Sequence, residues 1–241
     1  MVKPVRTLTL AGALIVVTAV LVFTSQYLEE RRIDAREGTC RGRLSQIALA
    51  LRAYHSDYGV FPPLKIHDQS GTPIHSWRVL LLPYMELDEF YSRYDFAQPW
   101  NSPHNAAFSR SVPQYVRELF RCPNDLNSTS ECTSFLAIER SLDTETRNQT
   151  VIPTRQSTNP CHIVLIELHE SGIQWLEPKD LPLQQALNGV LQLSPTAGNA
   201  NFLTADFQIG TLSPNSILFR NPEADLLKQW LSYHARQDDG D

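Results

Sequence analysis

The stretch QPWNSPHN, residues 98–105, gathers Trp100, Asn101, Ser102, His104 and Asn105 around two prolines. A hydroxyl, an imidazole and two amides so close together could form a reactive or ligand-binding site. The same residues also fit a helix start. Asn101 or Ser102 suits the cap, and Pro103 suits the first helical position, where its missing N–H leaves nothing unpaired. Ser76 and Ser102 lack the glycines of a nucleophile elbow. The seven histidines, His55, His67, His75, His104, His162, His169 and His234, show no HExxH or CxxC-type spacing. Glu167 and His169 share one face if their segment is a strand, which could seed a metal site, but no third ligand is visible. Asp57, Asp68 and Asp125 fall in loop-like places without the dense oxygen spacing of a calcium loop. Cys122, before Pro123, has no neighbour that would hold a thiolate, so a structural role fits it best. The chemistry-bearing residues thus spell out no enzyme, cofactor or metal motif.

The elements that must position them begin with a hydrophobic run. Residues 8–24, LTLAGALIVVTAVLVFT, carry no charge and follow Lys3 and Arg6. At ~1.5 Å per residue this run just crosses a ~30 Å hydrocarbon core if Thr7, Ser25 and Tyr27 help at the borders. Phe23-Thr24-Ser25 is a poor cleavage site, and an uncleaved anchor is expected over a removed signal. Positive charges lie on both flanks, Lys3 and Arg6 on one and Arg31, Arg32 and Arg36 on the other. The flanks alone therefore leave orientation open. Cys40, Cys122, Cys132 and Cys161 all follow the run, and an even number suits an oxidising compartment. These features predict a single-pass cell-membrane protein with its C-terminal domain extracytoplasmic.

The whole chain of 241 residues has a formal charge of −5. It has enough length for a normal hydrophobic core. Its acidity and the lack of a basic stripe argue against nucleic acid as a partner. It has only 10 glycines, and no phosphate-binding glycine loop appears. The expected organisation is a cytoplasmic flank over 1–6, a transmembrane helix over 7–25 and an extended amphipathic helix over 26–58. An extracytoplasmic α+β domain over 59–236 and a disordered tail over 237–241 complete it. Within the long helix, Leu44, Ile47, Ala48, Leu51 and Tyr54 recur at three- and four-residue spacing. Gly59 and Pro62-Pro63 end the helix. Leu87, Phe90, Tyr91 and Tyr94 form another helical stripe. A further helix is expected after Asn221-Pro222. Residues 134–138 and 161–168 read as strands, and 200–212 as two strands around a tight turn. Residues 142–160 read as loop.

Three stretches together resemble a large bacterial family of unknown function with prepilin- or pseudopilin-like architecture, much expanded in planctomycetes. They are CRGRLSQIALALRAYHSDYGVFPP, HSWRVLLLPYMELDEFYSRYDFAQPWNSPHN and FRCPND. ESGIQWLEPKDL and NANFLTADFQIGTL resemble its later segments. The resemblance implies a pilin-like plan, in which a membrane helix packs its distal half on an antiparallel sheet. It implies a non-enzymatic pilin- or pseudopilin-like subunit, or an accessory of a secretion or surface assembly, with other such subunits as partners. The alternative is an anchored module binding a small ligand or polysaccharide, with Trp100, His104 and Trp175 as the surface. The two cysteine-bearing segments that match the family imply a Cys40–Cys122 disulfide, leaving Cys132 for Cys161. The chain departs from the family pattern in three places, one of them Thr196-Ala197-Gly198-Asn199, where His-Pro-Gly-Gly-like residues usually precede a strand. VRTLTLAGAL lacks the glycine and following glutamate of a prepilin processing site. Phe207 replaces the hairpin glycine, so a different turn is expected there.

Overall fold

The computed structural model describes residues 5–139, 163–182, 185, 200–205 and 207–212. The helix expected after Asn221-Pro222, the loop over 142–160 and the tail over 237–241 lie outside them.

One unbroken helix, α1 (Val5–Tyr58), contains 54 residues and extends ~80 Å at the standard rise. No proline falls inside it, so nothing removes a backbone bond along its length. Its character changes along the axis. Leu14, Val17, Leu21 and Phe23 are all more than half exposed, as an apolar run with no protein around it must be. From Cys40 onward, one face is buried: Cys40, Leu44, Ile47 and Leu51 have no exposure at all. This is the face expected from the spacing, and it joins the main core. The helix stops at Gly59, whose φ of 74° is left-handed and whose N–H donates to the His55 carbonyl at 2.9 Å. Glycine occupies this conformation without the Cβ clash other residues meet.

Small elements then pack around the lower half of α1. A hairpin pairs β1 (Lys65–His67) with β2 (Pro73–Ser76). It leads into α2 (Trp77–Leu80), a 3-10 turn over Leu82–Met85, and α3 (Asp88–Arg93). The helices α4 (Pro103–Ser111) and α5 (Gln114–Glu118) follow. Arg43 on α1 fastens α5: its guanidinium bonds Glu118 at 2.9 Å and the Arg121 carbonyl at 2.6 Å.

The main sheet runs β5-β3-β4-β6-β7, with β3 (Phe135–Glu139), β4 (Ile163–Glu167), β5 (Leu181–Pro182), β6 (Ala200–Thr204) and β7 (Ile209–Leu212). Four strands are antiparallel neighbours; the two-residue β5 lies parallel to β3 at the edge. Alternation along β3 divides its side chains between two clusters. Phe135 and Ala137 enter the main core with α1, whereas Leu136 and Ile138 join Ile166, Ile173 and Leu181 on the other face. In β4 a register shift between Ile163 and Leu165 lets both Val164 and Leu165 reach the main core. The class is α+β, with the long helix on a largely antiparallel sheet, consistent with a pilin-like architecture.

At the β6–β7 turn the expectation fails. Phe207 takes φ 64°, the left-handed conformation a glycine would take. Two things hold it there. Its N–H donates to the Thr204 carbonyl at 2.9 Å, and its ring packs on Phe61 and His55. The packing offsets a backbone cost of ~1–2 kcal/mol.

Candidate functional site

The segment 98–105 is a capped helix start. Ser102 Oγ accepts the Asn105 N–H at 3.2 Å, and Pro103 begins α4. The organising residue is Asn105, which is fully buried. Its Oδ1 accepts the Asp95 N–H at 3.0 Å, and its Nδ2 donates to the carbonyls of Asp95, Gln98 and Pro99 at 2.9, 2.9 and 3.1 Å. One side chain thus satisfies four backbone groups of the preceding loop.

The three residues expected to form a ligand surface do not form one. Trp175 is completely buried, stacked on Phe120 at 5.8 Å between centroids, with its indole N–H donating to Ser109 Oγ. Its place after Gln174 brings it under the helices, since Cys132 and Gln174 form a bridge that draws this loop into the core. Trp100 is half-buried against the core, and its N–H donates to the Ile74 carbonyl at 2.9 Å. His104 is exposed, with Nε2 3.2 Å from the Arg93 carbonyl.

Two buried polar clusters lie deeper. Arg78 Nη2 bonds Asp180 Oδ1 at 2.6 Å, both side chains without exposure. The Trp77 indole N–H and the Ala137 N–H complete the carboxylate's partners at 3.0 and 2.8 Å. Burial is the largest influence on both groups: it lowers the Arg78 pKa and raises that of Asp180, while each partner acts in the opposite sense. The cluster clamps α2 to the edge of β3. Most of its polar atoms face one another, while Arg78 Nε is buried without a hydrogen-bond partner.

In the second cluster Glu167 and His169 meet as their spacing suggests. His169 Nε2 lies 2.9 Å from Glu167 Oε1. Glu167 Oε2 accepts from the Asn201 N–H and Nδ2 at 3.2 and 2.6 Å. Beside them Cys40 is disulfide-bonded to Cys122. The two sulfurs and a Glu167 oxygen all lie within 4.8 Å of one another. Asn201 escaped the sequence reading because an amide in a strand carries no signal of its own. Cys132 is a buried free thiol, 3.2 Å from Thr129 Oγ1. Its expected partner, Cys161, lies outside the described residues.

A surface cleft of about 610 Å³ opens where the end of α1 meets the β6–β7 turn. Arg52, His55, Ser56 and Gln208 supply polar groups, and Phe61 and Phe207 supply aromatic faces. This size is within the range of small-molecule pockets. The sequence pointed to Trp100 and Trp175 instead, because the cleft joins residues more than 150 positions apart.

A family described as a protein of unknown function (DUF1559) matches residues 30–178. The chain belongs to this family. No curated protein and no solved structure matches it. The DUF1559 match takes in the buried face of α1, both bonded cysteines, Glu167, His169 and Trp175. It ends before β6, so Asn201 and the Phe207 turn lie beyond it.

Proposed function

We propose that this DUF1559 protein is a non-enzymatic, membrane-anchored envelope protein, a pseudopilin-like subunit or accessory of a secretion or surface assembly. Its α+β domain stands on the extracytoplasmic side. The observation that carries this reading is the continuity of α1: a single helix is exposed and apolar at one end and a core element of the domain at the other. A rigid helix shared in this way sets the height and orientation of the domain above a bilayer. Between the two regions, Glu29, Arg31, Arg32 and Asp34 give a solvated stalk on which neighbouring subunits could meet. The absence of a prepilin processing motif favours retention of the anchor. The buried polar clusters support a non-catalytic role, because their carboxylates are occupied by their own donors.

Photo-crosslinkers placed at Arg32 and Tyr115, both exposed, test the assembly in intact cells. Adducts with other single-helix envelope proteins from the stalk position are expected. Adducts confined to cytosolic proteins would overturn the reading.

The cleft at the end of α1 favours a second reading, an anchored binding module. Its cation beside two aromatic faces suits an anionic sugar or small acid. Loss of binding in Arg52→Ala, with adducts at Arg32 unchanged, would separate this activity from assembly.

A further inference from the structure

The cleft at the end of α1 differs from the buried polar clusters in one respect: its polar groups are unspent. Arg52, His55 and Ser56, on the last turns of the helix, line it together with Gln208 at the end of the β6–β7 turn. Among the described residues, none of these four side chains makes a hydrogen bond or an ion pair. Asp57, the next acid along the helix, accepts the Tyr84 hydroxyl at 3.0 Å and is not part of the lining. The described lining therefore carries a positive charge and no negative one. Its apolar wall is Phe207. Phe61 behind it is only 1% exposed, whereas Phe207 is half-buried, with its ring 5.3 Å from that of Phe61. This ring stands on a residue at φ 64°, in a turn that glycine would form without strain. Strained backbone of this kind persists only where its surroundings hold it, and it clusters at ligand clamps.

The cleft's volume, about 610 Å³, suits a ligand larger than a simple anion. An arginine fork matches a carboxylate. The hydroxyl, amide and imidazole beside it can each donate and accept, as sugar hydroxyls require. The electron-rich face of a phenyl ring takes the C–H face of a pyranose. Resting on the reading of the domain as an anchored binding module, we propose that the cleft holds a hexuronic acid unit of an acidic polysaccharide and that Phe207 is its specificity-determining residue. Arg52 pairs with the sugar carboxylate, Ser56, His55 and Gln208 bond the ring hydroxyls, and the sugar stacks on Phe207. The cleft lies at the opposite end of α1 from the exposed apolar run, where a long polymer can reach it.

The test is isothermal titration calorimetry on the full-length protein in detergent. The probes are the trimers of galacturonic and of mannuronic acid, with maltotriose as the neutral sugar and benzoate as a simple acid. At least one tri-uronate should bind, with maltotriose about tenfold weaker. Arg52→Gln should erase that preference. Phe207→Gly should weaken the uronate about tenfold, although glycine takes the turn freely and the urea midpoint shows the domain folded. Phe207→Leu, which fills similar space without a flat face, should weaken it too, and Phe207→Tyr should restore the affinity. Equal uronate affinity in the parent, Phe207→Gly and Phe207→Leu proteins would overturn the role of Phe207. Binding of benzoate alone, lost in Arg52→Gln, would overturn the sugar assignment while leaving an acid-binding module. Binding of no probe would overturn the proposal together with the reading on which it rests.

Discussion

Cys40, on the buried face of α1, is bonded to Cys122 just after α5, 82 positions later in the chain. The bond ties the long helix α1 to the loop that leads into the central sheet. Closing so long a loop removes much of the freedom of the unfolded chain. Replacing both cysteines by serine should lower stability by about 2–5 kcal/mol. Urea unfolding in detergent, followed by tryptophan fluorescence, measures this. An unchanged midpoint would mean that the packing of α1 needs no covalent help.

The Arg78–Asp180 pair predicts an asymmetry. Arg78→Met alone leaves the Asp180 carboxylate buried beside two neutral donors, and breaking such a pair costs about 3–5 kcal/mol. Arg78→Met combined with Asp180→Leu removes both charges and should recover much of that loss. The same unfolding assay checks it. Additive losses in the double variant would show that the two residues act separately.

Asn105 should matter more than the serine that caps its helix. Ser102→Ala removes one cap, worth about 1 kcal/mol. Asn105→Ala strands several buried backbone groups, each worth about 1–3 kcal/mol when left unpaired. Equal shifts in the two variants would contradict the network between Asn105 and residues 95–99.

His75 predicts a pH dependence. Its Nδ1 lies 2.8 Å from the Tyr94 hydroxyl and its Nε2 3.0 Å from the Phe96 carbonyl, an arrangement for neutral imidazole. Burial, the largest influence, holds its pKa below the ordinary value of ~6.5, against the opposing pull of the Phe96 carbonyl and Asp95. Below pH ~6.5 the unfolded chain therefore binds a proton that the folded chain refuses. The contribution of His75 is complete above that value and declines as the pH falls towards the depressed folded pKa. His75→Gln should flatten the dependence of the urea midpoint between about pH 7 and 5. An identical slope in the variant would rule out this role.

Local elements were legible because their signals are local. The stripe through Leu44, Ile47 and Leu51, the Ser102-Pro103 helix start and the strands around 135, 165 and 202 follow from spacing and residue type alone. The packing partners were not legible. Arg78 finds Asp180 across 102 positions, and Trp175, a candidate only for the alternative ligand surface, is drawn inward by the bridge at Cys132. Phe207 shows the limit of turn propensity: tertiary contacts with Phe61 and His55 sustain a conformation that the local sequence disfavours. At the Glu167 site, the two-residue spacing hinted at His169 beside the carboxylate, though β4 ends at Glu167 and the turn after it brings the ring back; only the fold adds the two sulfurs and Asn201.

In the proposed reading, α1 crosses the membrane and presents the domain outside. Single cysteines introduced at Val2 and at the exposed Tyr115, in a chain whose natural thiols are bonded or buried among the described residues and with Cys161 replaced by serine, test it directly. A membrane-impermeant maleimide is applied to intact spheroplasts and, in parallel, to lysed ones. Tyr115→Cys should be labelled in both and Val2→Cys only after lysis. Labelling of Val2→Cys in intact spheroplasts, with Tyr115→Cys protected until lysis, would contradict it.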